Sequence, residues 1–260
     1  MKLIIEALCH KGLVRENNED AVSVGGLFLR DDTASLTLTT PDEGYFYLLV
    51  SDGMGGHENG EEASEYTLKT VNEALQDGRI GPDSFEEDMR AVVHKVSEDL
   101  NGWAAERGQA HPMGCTLTGV VWYNGHMYLV NAGDSRTYSI RGGILRQLTT
   151  DETERGLTGD PTASKYLLNC IGGGCEGRLT IDSLDGKLLE GDTLLVCSDG
   201  LTDMVPEEAI EESLTEGETF PSVEKKADTP GNVPPSISLL QKAFEGGGMD
   251  NISIILAQVV

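Results

Sequence analysis

The sequence has few positive charges, few cysteines and no long apolar run, and each shortage closes off a class of function. Lysine and arginine number 19 against 44 aspartates and glutamates, a formal net charge of −25. A field of that sign repels nucleic acid and anionic membrane at long range, so neither is expected as a partner. No stretch approaches the ~20 apolar residues that span a bilayer. The N-terminal MKLIIEALCHKGLVREN has neither an apolar core of signal-peptide length nor a small-residue cleavage site. Cys9, Cys115, Cys170, Cys175 and Cys197 are odd in number and show no CxxC spacing. They read as reduced core or loop residues, which points to the cytoplasm. No histidine pair has zinc spacing. No GxxxxGK[ST] string exists to cradle a nucleotide's phosphates, and the dense DxDxDG loop of a structural calcium site is missing.

What is present is enough chain for a full core: 260 residues bury roughly 70–75% of their unfolded surface. Strand-length segments occur at Tyr45–Ser51, Thr118–Tyr123, His126–Asn131, Arg136–Ile140, Thr193–Ser198 and Ile252–Val259. Asn124-Gly125 is a two-residue hairpin signal, because both residues tolerate positive φ, and Gly142-Gly143 turns the next hairpin. Adjacent hairpins mean antiparallel pairing. Two helices follow from periodicity. From Glu61, Ala63, Thr67, Val71 and Leu75 share a face. From Ser84, an N-cap with Glu87 three residues on, Phe85, Met89, Val92, Val96, Leu100 and Trp103 recur at three and four. The pattern predicts a layered α+β fold whose helices cover a largely antiparallel sheet pair. Residues 150–178 and Thr215–Pro235 read as irregular surface excursions within one domain spanning residues 1–260. Gly172, Gly174 and Gly177 spell GxGxxG, but the following RLTIDSL alternates like a strand instead of opening a helix, so the dinucleotide reading fails. The sequon Asn251-Ile252-Ser253 is empty without secretion.

Excess acid serves solubility first; the sharper possibility is that some carboxylates bind cations, which relieve the crowding of like charge. Two apolar strands end alike, LLVSDG at Asp52-Gly53 and LLVCSDG at Asp199-Gly200. Each delivers a carboxylate to a sheet edge and then a residue whose backbone can turn close to a ligand. Asp250-Asn251 leads into the last strand, and Asp134 follows Gly133 at another strand end. Oxygen ligands from distant segments meet when their strands share one sheet end, and such ligands suit Mg²⁺ or Mn²⁺. Arg15-Glu16-Asn17-Asn18-Glu19-Asp20 is either a solvated turn or a phosphate-binding guanidinium beside metal-facing carboxylates.

Six stretches, in order, resemble the metal-dependent protein phosphatases, the type-2C serine/threonine phosphatases in their compact bacterial form. They are GLVRENNEDA (12–21), LLVSDGMGGHENGEEAS (48–64), MGCTLTGVV (113–121), LVNAGDSRTY (129–138), LLVCSDGLTDMV (194–205) and GGGMDNISIILAQV (246–259). The resemblance covers nearly the whole chain and implies a four-layer αββα sandwich of two antiparallel sheets flanked by helices. It implies two Mn²⁺ or Mg²⁺ ions, with Asp52 bridging both, the Gly53 carbonyl on one, and Asp199 and Asp250 completing the first. Glu19 and Asp20 would meet metal-bound waters or the second ion, and Asp134 and Asp203 a weaker third. Arg15 would bind the substrate phosphate, and a metal-bridging hydroxide would attack directly, without a phosphoenzyme. The substrates implied are phosphoproteins, the targets of a serine/threonine kinase, and a monomer is expected.

Departures limit what carries over. Met54 stands where animal members have a histidine proposed as general acid, and His57 reads as structural or exposed. The segment after Leu148 matches the family's flap but is short and lacks the histidine after Asp151. Two rivals remain, a catalytically dead phosphoprotein-binding relative and a small-molecule phosphoester hydrolase. Retention of Asp52, Asp199, Asp250 and Arg15 argues against the first.

Overall fold

Strands buried on both faces need a layer on each side, and the burial of Lys2–His10 shows what those layers are. Leu3, Ile5, Ala7 and Cys9 enter a core shared with a second sheet, while Ile4 and Leu8 enter a core shared with helices. The computed structural model describes residues 1–55, 58–109, 112–215 and 233–260. His57, His111 and most of the Thr215–Pro235 excursion lie outside the described residues.

One six-stranded sheet runs Ile144–Gln147, Arg136–Arg141, Thr193–Cys197, Ile252–Val259, Lys2–His10 and Asp32–Thr39 from edge to edge. The other runs Thr180–Ser183, His126–Ala132, Leu117–Tyr123, Tyr45–Ser51, Ala21–Val24 and Leu27–Leu29. Every pairing in both is antiparallel. The sheets face each other across Leu48, Val50, Val120 and Trp122 on one side and Leu194, Val196, Ile255 and Ala257 on the other. Burying each such side chain contributes about 1.5–3 kcal/mol, which makes the interlayer core the main support of the frame.

Helices Glu58–Gln76 and Phe85–Glu106 cover the outer face of the second sheet, with Val71, Met89, Val96 and Leu100 packed on Tyr47, Leu49 and Val121. Asp199–Thr202, Glu207–Thr215 and Pro235–Glu245 cover the first through Leu201, Ile210, Leu239 and Ala243. The four layers are those the resemblance implies. Both hairpins form where expected, with positive φ at Asn124 and Gly125 and at Gly142 and Gly143.

The start of the second helix differs from the capping box read in the sequence. Ser84 is the N-cap residue, but its side chain accepts no backbone N–H. The hydroxyl instead donates to Asp88 at 2.5 Å, and the Gly81 N–H donates to the same carboxylate at 2.8 Å. Asp88 therefore takes the place expected for Glu87, tying the preceding turn to the positive end of the helix.

Candidate active-site cleft

Antiparallel pairing decides which chain ends meet. Ala21 lies opposite Ser51, so Glu19 and Asp20, just before one strand, share an edge with Asp52, just after the next. Cys197 lies opposite Ile254 and His10 opposite Ile252, so Asp199, Asp250 and the turn carrying Arg15 share the matching edge of the other sheet. Both edges open on one cleft of about 500 Å³, whose walls include Arg15, Glu19, Asp52, Asp134, Asp199 and Asp250. Asp20 sits beneath it, fully buried. Asp203 reaches the cleft through its ion pair with Lys165, which lines the wall.

Close backbone approach fixes these corners. A Cβ on Gly53 would lie 2.1 Å from the Gly60 carbonyl oxygen and 2.5 Å from that of Glu19. At Gly200, the second residue of the short helix begun by Asp199, it would lie 1.9 Å from the Asn251 carbonyl oxygen. Gly200→Ala must push the Asp199 and Asp250 corners apart. Overpacking of this kind costs about 1–3 kcal/mol, so urea unfolding should show the variant destabilised by that amount with an unchanged slope.

The electrostatics are those of crowded acid. Withdrawal from water is the largest cause raising the Asp20 carboxyl to about 7, with Asp199 and Asp250 adding repulsion against hydrogen bonds that lower it. Desolvation likewise drives Asp52 well above the usual carboxylate range, followed by the fields of Asp20, Asp199, Asp134 and Asp250. Asp134 is pushed to about 7 and Asp199 to about 6, burial again first. Asp20 Oδ2 accepts from the Ser198 and Ser253 hydroxyls at 2.7 and 2.8 Å, but its buried Oδ1 has no hydrogen-bond partner.

Gathered carboxylates, their mutual repulsion and an orphaned buried oxygen fit hard divalent cations. The acids share a cleft without closing into a cage: among the described residues, no three His, Cys, Asp or Glu side chains are placed to hold one ion. Asp52, Asp199 and Asp250, expected together on the first ion, are not drawn in that tightly. Asp250 Oδ2 instead accepts from Arg15 at 2.6 Å. Small hard cations keep several waters and take one or two carboxylates each, so the open arrangement suits them.

Several supporting residues carried no clear sequence signal. Asn251, set aside with its sequon, accepts the Glu19 N–H at 2.8 Å and donates to the carbonyls of Lys11 and Asn17 at 2.9 Å each. It thus pins the Arg15 turn to the last strand. Ser253, the sequon's third residue, serves Asp20 as described. The Thr116 hydroxyl accepts the Asp52 N–H at 3.0 Å, and the Thr116 N–H donates to the Asp52 carbonyl at 2.8 Å. Lys165, Tyr166 and Leu167, from the 150–178 excursion, also line the cleft. The rejected GxGxxG loop is structural: Ser97 and Asn101 of the second long helix hold Gly172, Gly174 and Cys175 by hydrogen bonds of 2.8–2.9 Å.

Acids and one arginine gathered where the edges of two antiparallel sheets meet could hold cations and a phosphate. The family model described as protein phosphatase 2C matches residues 22–229. The serine/threonine phosphatase stp of Listeria monocytogenes is 30% identical over 95% of this chain and 92% of its own length. The serine/threonine protein phosphatase PstP of Mycobacterium tuberculosis is 31% identical over 96% of this chain, which spans 44% of that longer protein. A solved structure of the PstP catalytic domain in complex with two manganese ions superposes with a TM-score of 0.70 at 28% identity, covering 99% of each chain. The chain belongs to the protein phosphatase 2C family and is a phosphatase. No helix among the described residues is long and apolar enough to cross a membrane.

Proposed function

We propose that this chain is a metal-dependent protein-serine/threonine phosphatase whose residues 1–260 act as one catalytic domain, and that it works as a monomer in the cytoplasm on the targets of a serine/threonine kinase. The observation that carries the reading is the convergence of acids from both sheets, with Arg15, on one cleft. Its relatives carry phosphatase names and one is solved with two manganese ions. Two Mn²⁺ or Mg²⁺ ions, with a weaker third, would when bound neutralise a phosphomonoester's charge and supply a water of lowered pKa.

Asp52 would serve both ions and the Gly53 carbonyl one of them, with Asp199 and Asp250 completing the first. Glu19, from the wall, and Asp20, from beneath, would meet metal-bound water or the second ion, and Asp134 and Asp203 the weaker third. These carboxylates hold cations and do not attack phosphorus, so no phosphoenzyme forms. Arg15 orients the phosphoryl group. Its planar fork can bond two phosphate oxygens at once, and its pair with Asp250 is exchangeable because the arginine side chain is 53% exposed.

Phosphate release from a phosphothreonine peptide with Mn²⁺ tests the reading. A half-exposed arginine should supply the low end of the charged hydrogen-bond range, about 1.5 kcal/mol, so Arg15→Ala should lower kcat/KM about tenfold, mostly through KM. An intact peptide beside a hydrolysed nucleoside monophosphate would favour a small-molecule phosphoester hydrolase. Binding without hydrolysis of either would favour a phosphoprotein-binding module.

A further inference from the structure

Residues 153–168 form a loop closed at its base that contributes Lys165, Tyr166 and Leu167 to the cleft wall. Thr153 bridges Leu167, the Leu168 N–H donates to the Glu152 carbonyl at 2.8 Å, and the Arg155 N–H donates to Ser164 at 3.0 Å. Among the described residues, the hydrogen bonds and ion pairs of residues 154–166 stay within this segment, with one exception. The exception is Lys165, whose ammonium donates to the carboxylate of Asp203, just after the Asp199–Thr202 helix.

Lys165 and Arg15 are the two cationic side chains on the cleft wall, and each is taken by a different acid. Lys165 is 55% and Asp203 38% exposed, so the pair is open to exchange. Asp203 in turn bears on its neighbours: its backbone N–H donates to the Asp199 carbonyl at 2.7 Å, and Asp134 lines the same cleft.

We propose that Lys165 is the resident cation of the Asp134–Asp203 corner, supplying there the charge that the metal-dependent reading assigns to a third divalent ion, and that the same ion pair tethers the loop that carries it. The inference rests on that reading for its metal half only. An ion that takes Asp203 must displace the ammonium, and displacing the ammonium frees the loop that carries Tyr166 and Leu167 on the cleft wall. Linkage makes the relation reciprocal: whatever holds the loop down weakens the third ion by the same factor. An exposed pair contributes up to about 1 kcal/mol, which corresponds to about a two- to fivefold change in either equilibrium.

Hydrogen–deuterium exchange on the full chain in EDTA, comparing wild type with Lys165→Met, tests the tether without any metal. Exchange across 153–168 should rise about two- to fivefold in the variant and stay at the wild-type rate in Lys165→Arg. Equal exchange in wild type and Lys165→Met overturns the tether. Titration with Mn²⁺, with free ion counted by electron paramagnetic resonance, tests the competition. The weakest binding step should tighten about two- to fivefold in Lys165→Met and leave the tighter steps unmoved; an unchanged weakest step overturns the competition. A wild-type chain that binds no Mn²⁺ overturns the metal reading itself, together with the competition, and the EDTA comparison still decides the tether.

Discussion

Asp199→Asn should reduce turnover of p-nitrophenyl phosphate to less than about one-hundredth of wild type while leaving the protein folded. The size follows from position. Changing a group that only hydrogen-bonds a metal's ligand typically costs 10–100-fold in affinity or activity, and Asp199 is proposed to touch the ion directly. The retention of fold follows from electrostatics. Burial and the fields of Asp250 and Asp203 already raise the Asp199 carboxyl to about 6, so its charge opposes folding wherever no cation answers it. Asparagine keeps the shape, removes the repulsion and can still hydrogen-bond toward Asp52. In EDTA the variant should therefore melt no lower than wild type. Steady-state kinetics at saturating Mn²⁺ and thermal circular dichroism check the two halves. A folded variant with near wild-type turnover would remove Asp199 from the catalytic set.

Asp199 was legible in the sequence because its signal is local: an apolar strand, then Asp, then Gly. The same signal marked Asp52, but the expectation of one shared sheet end does not hold: Tyr45–Ser51 and Thr193–Cys197 belong to different sheets, whose edges meet only through the packing of the two layers. Lys2–His10 was not legible as a strand, since both of its faces are buried and its apolar run has no alternation to count. Asp32–Thr39 is a different case. Its inward Ala34, Leu36 and Leu38 are separated by Ser35 and Thr37, a period-two alternation that is itself a strand signal, although the strand-length segments read from the sequence leave it out. The supports of the site were illegible for another reason. Ser198 and Ser253 lie 55 residues apart and meet beneath Asp20 only through strand pairing, with the Ser253 N–H donating to the Ser198 hydroxyl at 3.0 Å. Lys165 had no signal at all: one lysine in an irregular stretch acquires meaning only when the loop's closure carries it to Asp203.

Manganese should act on stability as strongly as on rate. Without cations, Asp20, Asp52, Asp134 and Asp199 repel one another in a partly desolvated cleft, and Asp20 Oδ1 lacks a hydrogen bond. An ion that binds only the folded chain stabilises it by about 2.7 kcal/mol at a hundred times its Kd. For a domain of this size each kcal/mol shifts the midpoint by about 2–4 °C. One saturated ion should therefore raise Tm by about 5–10 °C over the EDTA-treated protein, with a further rise from a second. EDTA should silence hydrolysis and added Mn²⁺ restore it. Asp52→Asn should lose most of the thermal shift, because Asp52 is proposed to serve both ions, whereas Lys165→Met should keep it. A midpoint unmoved between EDTA and saturating Mn²⁺, in a protein that remains active, would mean that the acids are held apart by something other than bound cations, and the metal-dependent mechanism would fall with them.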